Sequence, residues 1–205
     1  MRIVAILAVR NEVLYLRRCL TQLASQQIDS CIIDNSSTDG TIEIAESFLK
    51  QGVFKIVRLP YPGYYDWSGL LKAKENLSHE INADWFIHCD ADEIREAPKF
   101  FKNLSDGIIE VDSQGYNAIN FDEFVFLPTS DEDCFEGTDY VALMRYYYFF
   151  KPAPLRRINA WKKSIYPVDL VSSGGHAVVF RDRKVFPENF ILRHYIILSR
   201  EHAIN

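Results

Sequence analysis

The chain has 205 residues, of which 48% are hydrophobic and 25% charged, and its net charge at pH 7 is −5. This length fits one domain around one core, and the composition excludes a disordered tail, a coiled coil and a fibre. The negative charge argues against a nucleic-acid partner, because proteins that grip nucleic acid neutralise its phosphates with Lys and Arg. A single nucleotide is still compatible with this charge, since a bound metal ion can supply positive charge locally.

The cysteines and the apolar stretches indicate a compartment. No zinc-site or C-x-x-C spacing is present, so buried side chains in a reducing compartment are predicted for Cys19, Cys31, Cys89 and Cys134. The first apolar run is too short for a signal peptide, and no stretch approaches the roughly 20 apolar residues that span a bilayer. We therefore expect a cytoplasmic protein, and we leave open a peripheral contact with the inner face of the membrane.

Strands and helices alternate along the first half of the sequence. Apolar runs predict strands at residues 2–9, 30–34, 53–59 and 84–89. Helical spacing of apolar residues predicts helices at residues 12–26, 41–51 and 69–80. The alternation is typical of a Rossmann-like α/β fold, with a mainly parallel central sheet and helices on both faces. Ligands bind such sheets at the carboxyl ends of the strands, so Asp34 and Asp90 are predicted to share one rim.

The second half is less regular. It is predicted to contain one helix at residues 98–105 and strands at residues 115–127, 141–150, 174–180 and 190–197. The chain is predicted to be a single domain, residues 1–205, with a nucleotide-binding half at 1–97 and an acceptor-binding half at 98–205. A helix is expected to start at Ser199, and we leave open whether the protein continues past Asn205.

Two aromatic features of the second half have alternative interpretations. The run Tyr146–Phe150 is favoured as a buried strand, with an acceptor-binding or membrane-facing surface as the alternative. Trp161 lies among four cations: Arg156, Arg157, Lys162 and Lys163. This cluster suggests a basic loop for an acceptor or an anionic lipid, although we favour an ordinary solvated loop.

The strongest chemical motif follows the fourth predicted strand. There the sequence WFIHCDADE delivers Asp90 and Asp92, two carboxylates with one residue between them. Mg²⁺ and Mn²⁺ prefer such oxygen ligands and are often held by one or two carboxylates together with substrate phosphates. A solvated acidic turn would contain the same pattern, but its position after a four-strand α/β half favours a metal site.

A second polar motif, DNSSTDGT at residues 34–41, follows the second predicted strand. Asp34 can accept hydrogen bonds from a base or a ribose at the strand end. Thr38 or Asp39 can cap the helix that follows, whose free N–H groups favour anions. A capping turn alone would explain Thr38, Asp39 and Gly40 equally well, but it explains Asp34 less well.

The order of these motifs resembles that of the family 2 glycosyltransferases, closely over about residues 1–100 and loosely beyond. The motifs are VRNE at residues 9–12, DNSSTDGT at 34–41, and Asn76 followed by DADE at 90–93. The resemblance implies the GT-A fold. It also implies a metal-dependent, inverting hexosyl transfer, with Mn²⁺ or Mg²⁺ as cofactor, in polysaccharide biosynthesis. The donor would be a nucleotide-diphosphate sugar carrying UDP, GDP or dTDP, and the acceptor a glycan or a lipid-linked molecule.

The resemblance also implies which residues bind the donor. The nucleotide would be bound by Val9, Arg10, Asn11, Glu12, Asp34, Asp39 and Asp90. Asp34 would contact the base, Asp90 would lie by the ribose and the metal, and Asp92 would be the main metal ligand. His194 is similar in position to a histidine that such enzymes use as a further metal or diphosphate ligand.

Two lysines ahead of the D-x-D motif are further candidates. Lys72 and Lys74 could meet the diphosphate, although a solvated helix face would contain them equally well. Family members often have Arg beside the residue equivalent to Asn76, whereas Glu75 stands there in this sequence. Aromatic side chains nearby, in residues 61–65 and at Trp67, could stack on a base or a sugar ring.

Inversion needs a base that takes the proton of the acceptor hydroxyl. The family mostly uses a carboxylate after the D-x-D motif, and the candidates here are Asp122, Glu123, Asp169 and His176. The glycines before His176 would let the backbone approach a ligand closely. Related sequences often have Glu after this histidine, whereas Ala177 follows it here. We favour His176 or Asp169 over Glu123.

Other functions compete with sugar transfer. A D-x-D phosphatase would resemble the haloacid-dehalogenase enzymes, but their motif ends the first strand and continues to Thr or Val, not to Glu93-Ile94. A nucleotidyltransferase would need a glycine-rich basic loop after the first strand, which this sequence lacks. A nucleotide-sugar-binding module without transferase activity stays open, because the second half resembles the family only loosely.

Overall fold

The structure is a computed structural model that describes residues 1–150 and 157–204. Within these residues the strands are β1 Ile3–Val9, β2 Asp29–Asp34, β3 Val53–Arg58, β4 Trp85–Cys89, β5 Glu93–Glu96, β6 Ala118–Phe126, β7 Tyr147–Phe150, β8 Ile158–Lys162 and β9 Phe190–His194. The helices are α1 Leu16–Ser25, α2 Thr41–Ser47, α3 Trp67–Glu80, α4 Leu104–Ser113, α5 Tyr140–Leu143 and α6 Arg200–Ile204. None of these described helices has both the length and the apolar character needed to cross a membrane.

The first four strands form the parallel part of the sheet, in the order β3-β2-β1-β4. Val9 at the end of β1 lies opposite Asp34, and Leu7 lies opposite Cys89. Asp34 and Asp90 therefore lie on the two sides of the end of β1. The predicted common rim is confirmed by this register.

The remaining strands continue the same sheet. The strand β8 pairs antiparallel with both β4 and β6, and it so connects the parallel part to the order β6-β9-β5. The strand β9 runs parallel to β6 and antiparallel to β5, while β7 pairs antiparallel with β6 alone. The parallel character that was predicted for the whole sheet is thus concentrated in its first half.

Helices cover both faces of the sheet, as predicted. Alternate side chains of β1 point to opposite faces, because successive residues of a strand do so. Leu7 and Val9 pack in one core with Leu16 and Leu20 of α1, and Ile6 packs in the other core. That second core includes three leucines of α3, namely Leu70, Leu71 and Leu77. Both faces of β1 are thus buried in cores, which leaves its carboxyl end as the part that a ligand can reach.

Several predicted boundaries in the second half are wrong. The helix predicted at 98–105 runs instead over Leu104–Ser113, because the side chain of Asn103 accepts a hydrogen bond from the Asp106 amide (2.8 Å) and starts the helix there. The strand predicted at 141–150 begins with the short helix α5 before β7. Residues 174–180 form only isolated bridges, since Gly174 and Gly175 have φ of 63° and 80°, outside the strand region.

Burial also corrects three predictions. Residues Tyr147–Phe150 of the aromatic run do form a strand, but the strand is exposed: Tyr147 is 56% exposed and Tyr148 48%. Trp161 is 1% exposed inside β8, so it belongs to the core and not to a solvated basic loop. Arg156, which was placed in that loop, lies outside the described residues. Cys134 is exposed, unlike the other three cysteines, which are buried as predicted.

Candidate active site

A cavity of about 220 Å³ opens at the carboxyl ends of β1 and β4. Its walls come from three separate stretches of sequence, the VRNE motif, the aromatic start of α3 and the D-x-D motif. The lining residues are Ala8, Val9, Arg10, Glu12, Tyr65, Trp67, Leu70, Asp90 and Asp92. The position agrees with the rule that open α/β sheets bind ligands outside the carboxyl ends of their strands.

The VRNE motif is fastened to the polar turn after β2. The side chain of Asn11, which has a φ of 57°, accepts a hydrogen bond from the Thr38 amide (2.8 Å). The Glu12 amide donates to the Thr41 hydroxyl (2.7 Å), and the Arg10 guanidinium donates to the Asn35 carbonyl (2.6 Å). Asn11 does not line the cavity, whereas these bonds fix the Arg10 side chain and the Glu12 backbone at its wall.

The two aspartates of the turn bond to their own loop. Asp34 is 4% exposed and accepts from the Ser37 amide at 3.1 Å. Asp39 accepts from the Thr41 amide and hydroxyl and from the Val13 amide. Burial alone would raise the pKa of Asp39, but these hydrogen bonds lower it. The structure places both aspartates beside the cavity rim, in roles that shape the turn.

Negative charge accumulates around the cavity. Three of its lining residues, Glu12, Asp90 and Asp92, are carboxylic acids. Burial, followed by the charges of Asp92 and Asp90, raises the pKa of Glu12 to about 8. The folded protein thus favours the protonated form of Glu12, and a cation in the cavity would relieve the same repulsion.

A buried lysine holds Asp90 from below. The side chain of Lys74 is fully buried, and its ammonium lies 3.2 Å from Asp90 Oδ1, 3.0 Å from His88 Nδ1 and 3.1 Å from the Cys89 carbonyl. Burial would raise the pKa of Asp90, but this ammonium lowers it. The prediction that Lys74 meets a diphosphate directly is corrected here, because the burial that brings it to Asp90 also withdraws it from the cavity. Lys72 is exposed and pairs with Glu75.

Four charged residues form a chain that starts at the D-x-D motif. Asp92 Oδ2 lies 3.0 Å from His194 Nε2, and His194 Nδ1 lies 2.7 Å from Glu123 Oε1. Glu123 in turn receives two hydrogen bonds from Arg157, at 2.7 and 2.8 Å. Burial disfavours the charged imidazole, but the bonds to Asp92 and Glu123 raise the pKa of His194 to about 10. The sequence placed His194 near Asp92, and the structure brings the two together.

The proposed bases occupy different positions along or beside this chain. Burial would raise the pKa of Glu123, but its bonds to His194 and Arg157 lower it to about 2, which makes it a weak proton acceptor. His176 is exposed, and its Nδ1 lies 3.0 Å from Arg157 Nη1. Asp169 accepts from the Ser172 amide (2.9 Å), and Asp122 accepts from Asn189 (2.9 Å). Among these four, His176 and Glu123 are connected to Asp92 through the described contacts.

A buried ion pair, for which no function was predicted, supports the D-x-D loop. Glu93 and Arg95 are 2% and 0% exposed, and their side chains meet at 2.5 Å. Glu93 also accepts a hydrogen bond from the Asp90 amide at 3.0 Å, while the Tyr195 amide donates to the Asp92 carbonyl at 2.9 Å. Both carboxylates of the motif are thereby positioned from the backbone. The sequence indicates this pair only through the i, i+2 spacing of Glu93 and Arg95 in a short strand.

The aromatic residues connect the cavity to a loop of the second half. Tyr65 and Trp67 stack with ring centres 5.8 Å apart, and Trp67 Nε1 donates to the Gly174 carbonyl (3.1 Å). A Cβ on Gly175 would lie only 3.0 Å from the Trp67 ring and 3.1 Å from His88. The glycines before His176 were predicted to admit a ligand, but Gly175 instead admits the protein's own Trp67 and His88.

Some side chains around the cavity are of the kinds that bind a divalent cation. Within residues 1–150 and 157–204, no group of three or more His, Cys, Asp or Glu side chains is arranged to hold a metal ion. Asp90, Asp92 and Glu12 nevertheless face one cavity, and Asp92 touches His194. Oxygen ligands of this kind suit Mg²⁺ and Mn²⁺, and the bond from His194 to Glu123 is typical of a histidine oriented from behind.

Comparison with known families agrees with this geometry. The model of the family described as Glycosyl transferase family 2 matches residues 4–104. This segment, just under half of the chain, belongs to glycosyl transferase family 2. The matched segment contains every lining residue of the cavity, whereas His194, Glu123 and His176 lie beyond it. No curated protein matches the chain significantly in sequence.

Solved structures share the fold. TarS of S. aureus has a TM-score of 0.59 at 13% identity, covering 95% of this chain and 37% of its own. TarS 1-349 of S. aureus, in complex with UDP, has a TM-score of 0.58 at 14% identity and covers 95% of this chain and 60% of its own. The chain therefore spans about a third to three fifths of these proteins, and the likeness confirms the predicted GT-A-type α/β fold.

Proposed function

We propose that this protein transfers a hexose from a nucleotide-diphosphate sugar to a hydroxyl of a glycan or a lipid-linked acceptor. The observation that carries the proposal is the cavity at the ends of β1 and β4, where the family's VRNE and D-x-D motifs face each other. A nucleotide diphosphate is strongly anionic, and the carboxylates of this cavity would repel it. The proposed donor therefore enters together with a divalent cation.

Asp90, Asp92 and His194 would hold that cation, Mn²⁺ or Mg²⁺, which would displace the proton between His194 Nε2 and Asp92. When bound, it would neutralise the developing charge of the diphosphate leaving group. Glu123 would keep His194 oriented through its 2.7 Å bond to Nδ1, which leaves Nε2 directed at Asp92. Lys74 would fix the Asp90 carboxylate from beneath and keep it ionised.

Tyr65 and Trp67 would contact the donor through their ring faces. Both line the cavity, and flat aromatic surfaces suit a nucleobase or the apolar face of a sugar. Arg10 stands at the opposite wall, with its guanidinium stacked 3.6 Å from the centre of the Tyr61 ring. Val9, Asn11, Asp34 and Asp39 would shape the nucleotide pocket by holding the two motif loops together.

Inversion requires a base on the acceptor side, and we propose His176 for this role. It is exposed, and the contacts through Arg157, Glu123 and His194 connect it to Asp92. Arg157 donates a hydrogen bond to His176 Nδ1 and so occupies the electron pair that would take the proton. The hydroxyl group of the sugar acceptor would have to replace Arg157 at this nitrogen. Asp169 is the second candidate; it lies seven residues before His176, and its carboxylate accepts a hydrogen bond from the Ser172 amide.

A nucleotide-sugar-binding module is the alternative. The observation that favours it is that Glu123, His176, Asp169 and Asp122 each already have a hydrogen-bond partner in the structure. Such a protein would bind the donor with metal and transfer nothing. Transfer therefore has to be measured separately from binding.

Calorimetric titration with UDP, GDP, dTDP and CDP, with and without Mn²⁺, tests the proposal. UDP is the first probe, because TarS 1-349 was solved with it. We expect one nucleotide to bind only with metal, and Asp92→Ala to abolish that binding. Asp131→Ala, which removes a surface carboxylate with 79% exposure, is the matched control and should bind normally. The absence of any nucleotide binding to the wild-type protein would refute the proposal.

Transfer is measured next, with donors that carry the nucleotide identified by titration. Wild-type protein should form product from a panel of glycan and lipid-linked acceptors, and the anomeric configuration of the product tests inversion. His176→Ala should bind nucleotide as the wild type does and lose most of the transfer. Tight binding without hydrolysis or transfer on any acceptor would support the binding module instead.

A further inference from the structure

The chain has an unusual distribution of charge. Although its net charge is −5, residues 140–168 contain no Asp and no Glu. The same stretch contains six cations: Arg145, Lys151, Arg156, Arg157, Lys162 and Lys163. Three of them are used internally, since Arg157 pairs with Glu123, Lys162 pairs with Asp112, and Lys163 donates to the Ile81 carbonyl. Arg145 is exposed immediately before β7.

The strand β7 is an edge strand with aromatic side chains that solvent reaches. Its pairing is to β6, and within the described residues its other edge has no strand partner. Tyr146, Tyr147, Tyr148 and Phe149 are 69%, 56%, 48% and 43% exposed. We call these four residues together with Arg145 the aromatic edge.

Rings are exposed on both faces of this edge. Tyr147 and Phe149 pack against Phe124 of β6, with ring centres 5.3 and 5.1 Å apart, whereas Tyr148 lies opposite the buried Val125 and points to the other face. Soluble proteins usually protect an edge strand with charges, prolines or bulges, and they rarely expose a continuous apolar surface. The aromatic edge has neither an acidic residue nor a proline, so its composition indicates a partner.

We propose that the aromatic edge rests on the headgroup layer of an anionic lipid bilayer. Tyrosine is enriched at that depth, because its ring is apolar and its hydroxyl reaches water. A cation beside the rings is attracted to anionic lipids, and the acid-free stretch removes the repulsion that the rest of the chain would provide. Aromatic side chains and a single sign of charge are thus brought together in the short segment from Arg145 into β7.

The strand suits the interface and not the hydrocarbon interior. The outer edge of β7 exposes backbone N–H and C=O groups, which would each cost several kcal/mol if they were buried in lipid tails without partners. Within the headgroup layer, water and lipid phosphates can satisfy them. The contact is therefore shallow and reversible.

A second copy of the chain fits the aromatic edge less well. Pairing of β7 with its own copy would bring two acid-free, cationic stretches together, and like charges at such an interface oppose binding. The strand has only four residues, Tyr147–Phe150, so such a pair would form few backbone hydrogen bonds. An anionic lipid surface would attract the cations of this stretch, whereas a second copy of the chain would repel them.

The aromatic edge adjoins the candidate active site through the sheet. Phe150, the last residue of β7, lies opposite Glu123, which binds His194 and Arg157. A bilayer that contacts β7 would so lie at the acceptor side of the cavity. The lipid contact itself does not depend on the proposed sugar transfer, because none of its residues lines the cavity.

Vesicle flotation tests the inference with the whole protein. Wild-type protein should float with vesicles of phosphatidylglycerol and phosphatidylcholine mixed in about equal amounts, and much less with phosphatidylcholine alone. Raising NaCl from about 0.1 M to about 0.5 M should weaken the binding, because salt screens the cation. The double variant Tyr146→Ser, Tyr148→Ser should lower the partition coefficient by about tenfold, and Arg145→Glu should lower it on anionic vesicles only.

Matched variants separate the aromatic edge from exposure in general. Phe100→Ser removes an aromatic ring with 66% exposure elsewhere on the surface, and Arg58→Glu reverses an exposed cation with 72% side-chain exposure. Both should float as the wild type does, and so should Asp92→Ala, even if the proposed transferase activity is absent. Flotation that is equal on both vesicle types, or unchanged in the Tyr146 and Tyr148 variant, would overturn the inference. The inference would also be overturned if sedimentation showed that the wild-type protein is a dimer and that the Tyr146 and Tyr148 variant is a monomer.

Discussion

The two halves of the candidate site are held together by different kinds of contact. On the amino-terminal side, the VRNE loop and the turn after β2 are joined by hydrogen bonds among residues 10–41, so short motifs build the wall. On the carboxyl-terminal side, Asp92, His194, Glu123 and Arg157 meet across separations of 34 to 102 residues. Short motifs in the sequence therefore reveal one wall of this site, while the other wall depends on the assembled sheet.

The largest expected effect comes from breaking the long-range wall. Glu123 is 2% exposed and pairs with Arg157 and His194, so Glu123→Ala leaves two cations without their partner. We expect a loss of about 3–5 kcal/mol in the free energy of unfolding, measured by urea denaturation. The adjacent Asp122→Ala, which loses one exposed bond to Asn189, should cost less than about 1 kcal/mol. Equal losses in the two variants would show that the chain of charges is not what holds this wall.

A glycine joins the two walls, and its replacement is expected to have the second-largest effect. Gly175 has a φ of 80°, and a Cβ there would lie 3.0 Å from Trp67. Gly175→Ala should lower the free energy of unfolding by about 1–3 kcal/mol, through backbone strain and displacement of the ring. Gly137→Ala is the control, since it has a similar φ of 70° but open space around its Cβ. If Gly137→Ala lost as much stability as Gly175→Ala, the whole effect would come from the positive φ and none from the contact with Trp67.

The pH dependence of stability tests the charge of the motif-built wall. Because burial and its acidic neighbours raise the pKa of Glu12 from 4.5 to about 8, the folded protein keeps this proton while the unfolded chain releases it. The stability linked to this proton is complete below pH 4.5 and is lost as pH rises through 8. In the presence of a chelator, Glu12→Gln should therefore flatten the fall in Tm over this range by about 5 °C.

The control for this experiment is Glu43→Gln, which changes an exposed carboxyl of α2. Its Tm should follow the wild-type curve at every pH. The raised pKa of His194 contributes a further loss of stability towards pH 10, and this loss should persist in both variants. Parallel curves for the wild type and Glu12→Gln would mean that the cavity does not hold Glu12 protonated.

The smallest expected effect is on a local feature of the first half. The Asp66 side chain caps α3 by accepting a hydrogen bond from the Gly69 amide at 3.0 Å. Asp66→Ala should cost about 1 kcal/mol by urea denaturation, and Asp66→Asn, which can still accept the bond, should cost less. If the two variants lost the same stability, the cap would contribute nothing.

Most of the fold could be predicted from the sequence, because its first half is built from local signals. Four apolar strands, the helices between them and the common rim of Asp34 and Asp90 follow from periodicity and strand ends alone. In the second half, the predicted strand at 174–180 is wrong because positive φ at two glycines is a backbone property that apolar patterning does not record. The helix predicted at 98–105 is displaced because the cap at Asn103 outweighs the apolar residues before it.

The candidate site could also be predicted only in the part that short motifs encode. Asp90, Asp92 and His194 could be named from motif and position; Asp90 and Asp92 line one cavity, His194 touches Asp92, and their role as metal ligands stays a prediction. The burial of Lys74 could not be predicted, since a lysine on a helix is most often solvated and only the fold brings His88 and Asp90 to it. Arg157 was named only as part of a basic loop, because its partner Glu123 is 34 residues away in sequence.

The three tryptophans lie in different environments, and this difference affects the fluorescence of the protein. Trp85 and Trp161 are 0% and 1% exposed, whereas Trp67 lines the cavity and stacks on Tyr65. Fluorescence from the two buried indoles should stay constant when a small molecule enters the cavity, so a change in emission would come from Trp67. The protein thus carries its own fluorophore at the ligand cavity, and Trp67→Phe supplies the blank against which an intensity change can be assigned.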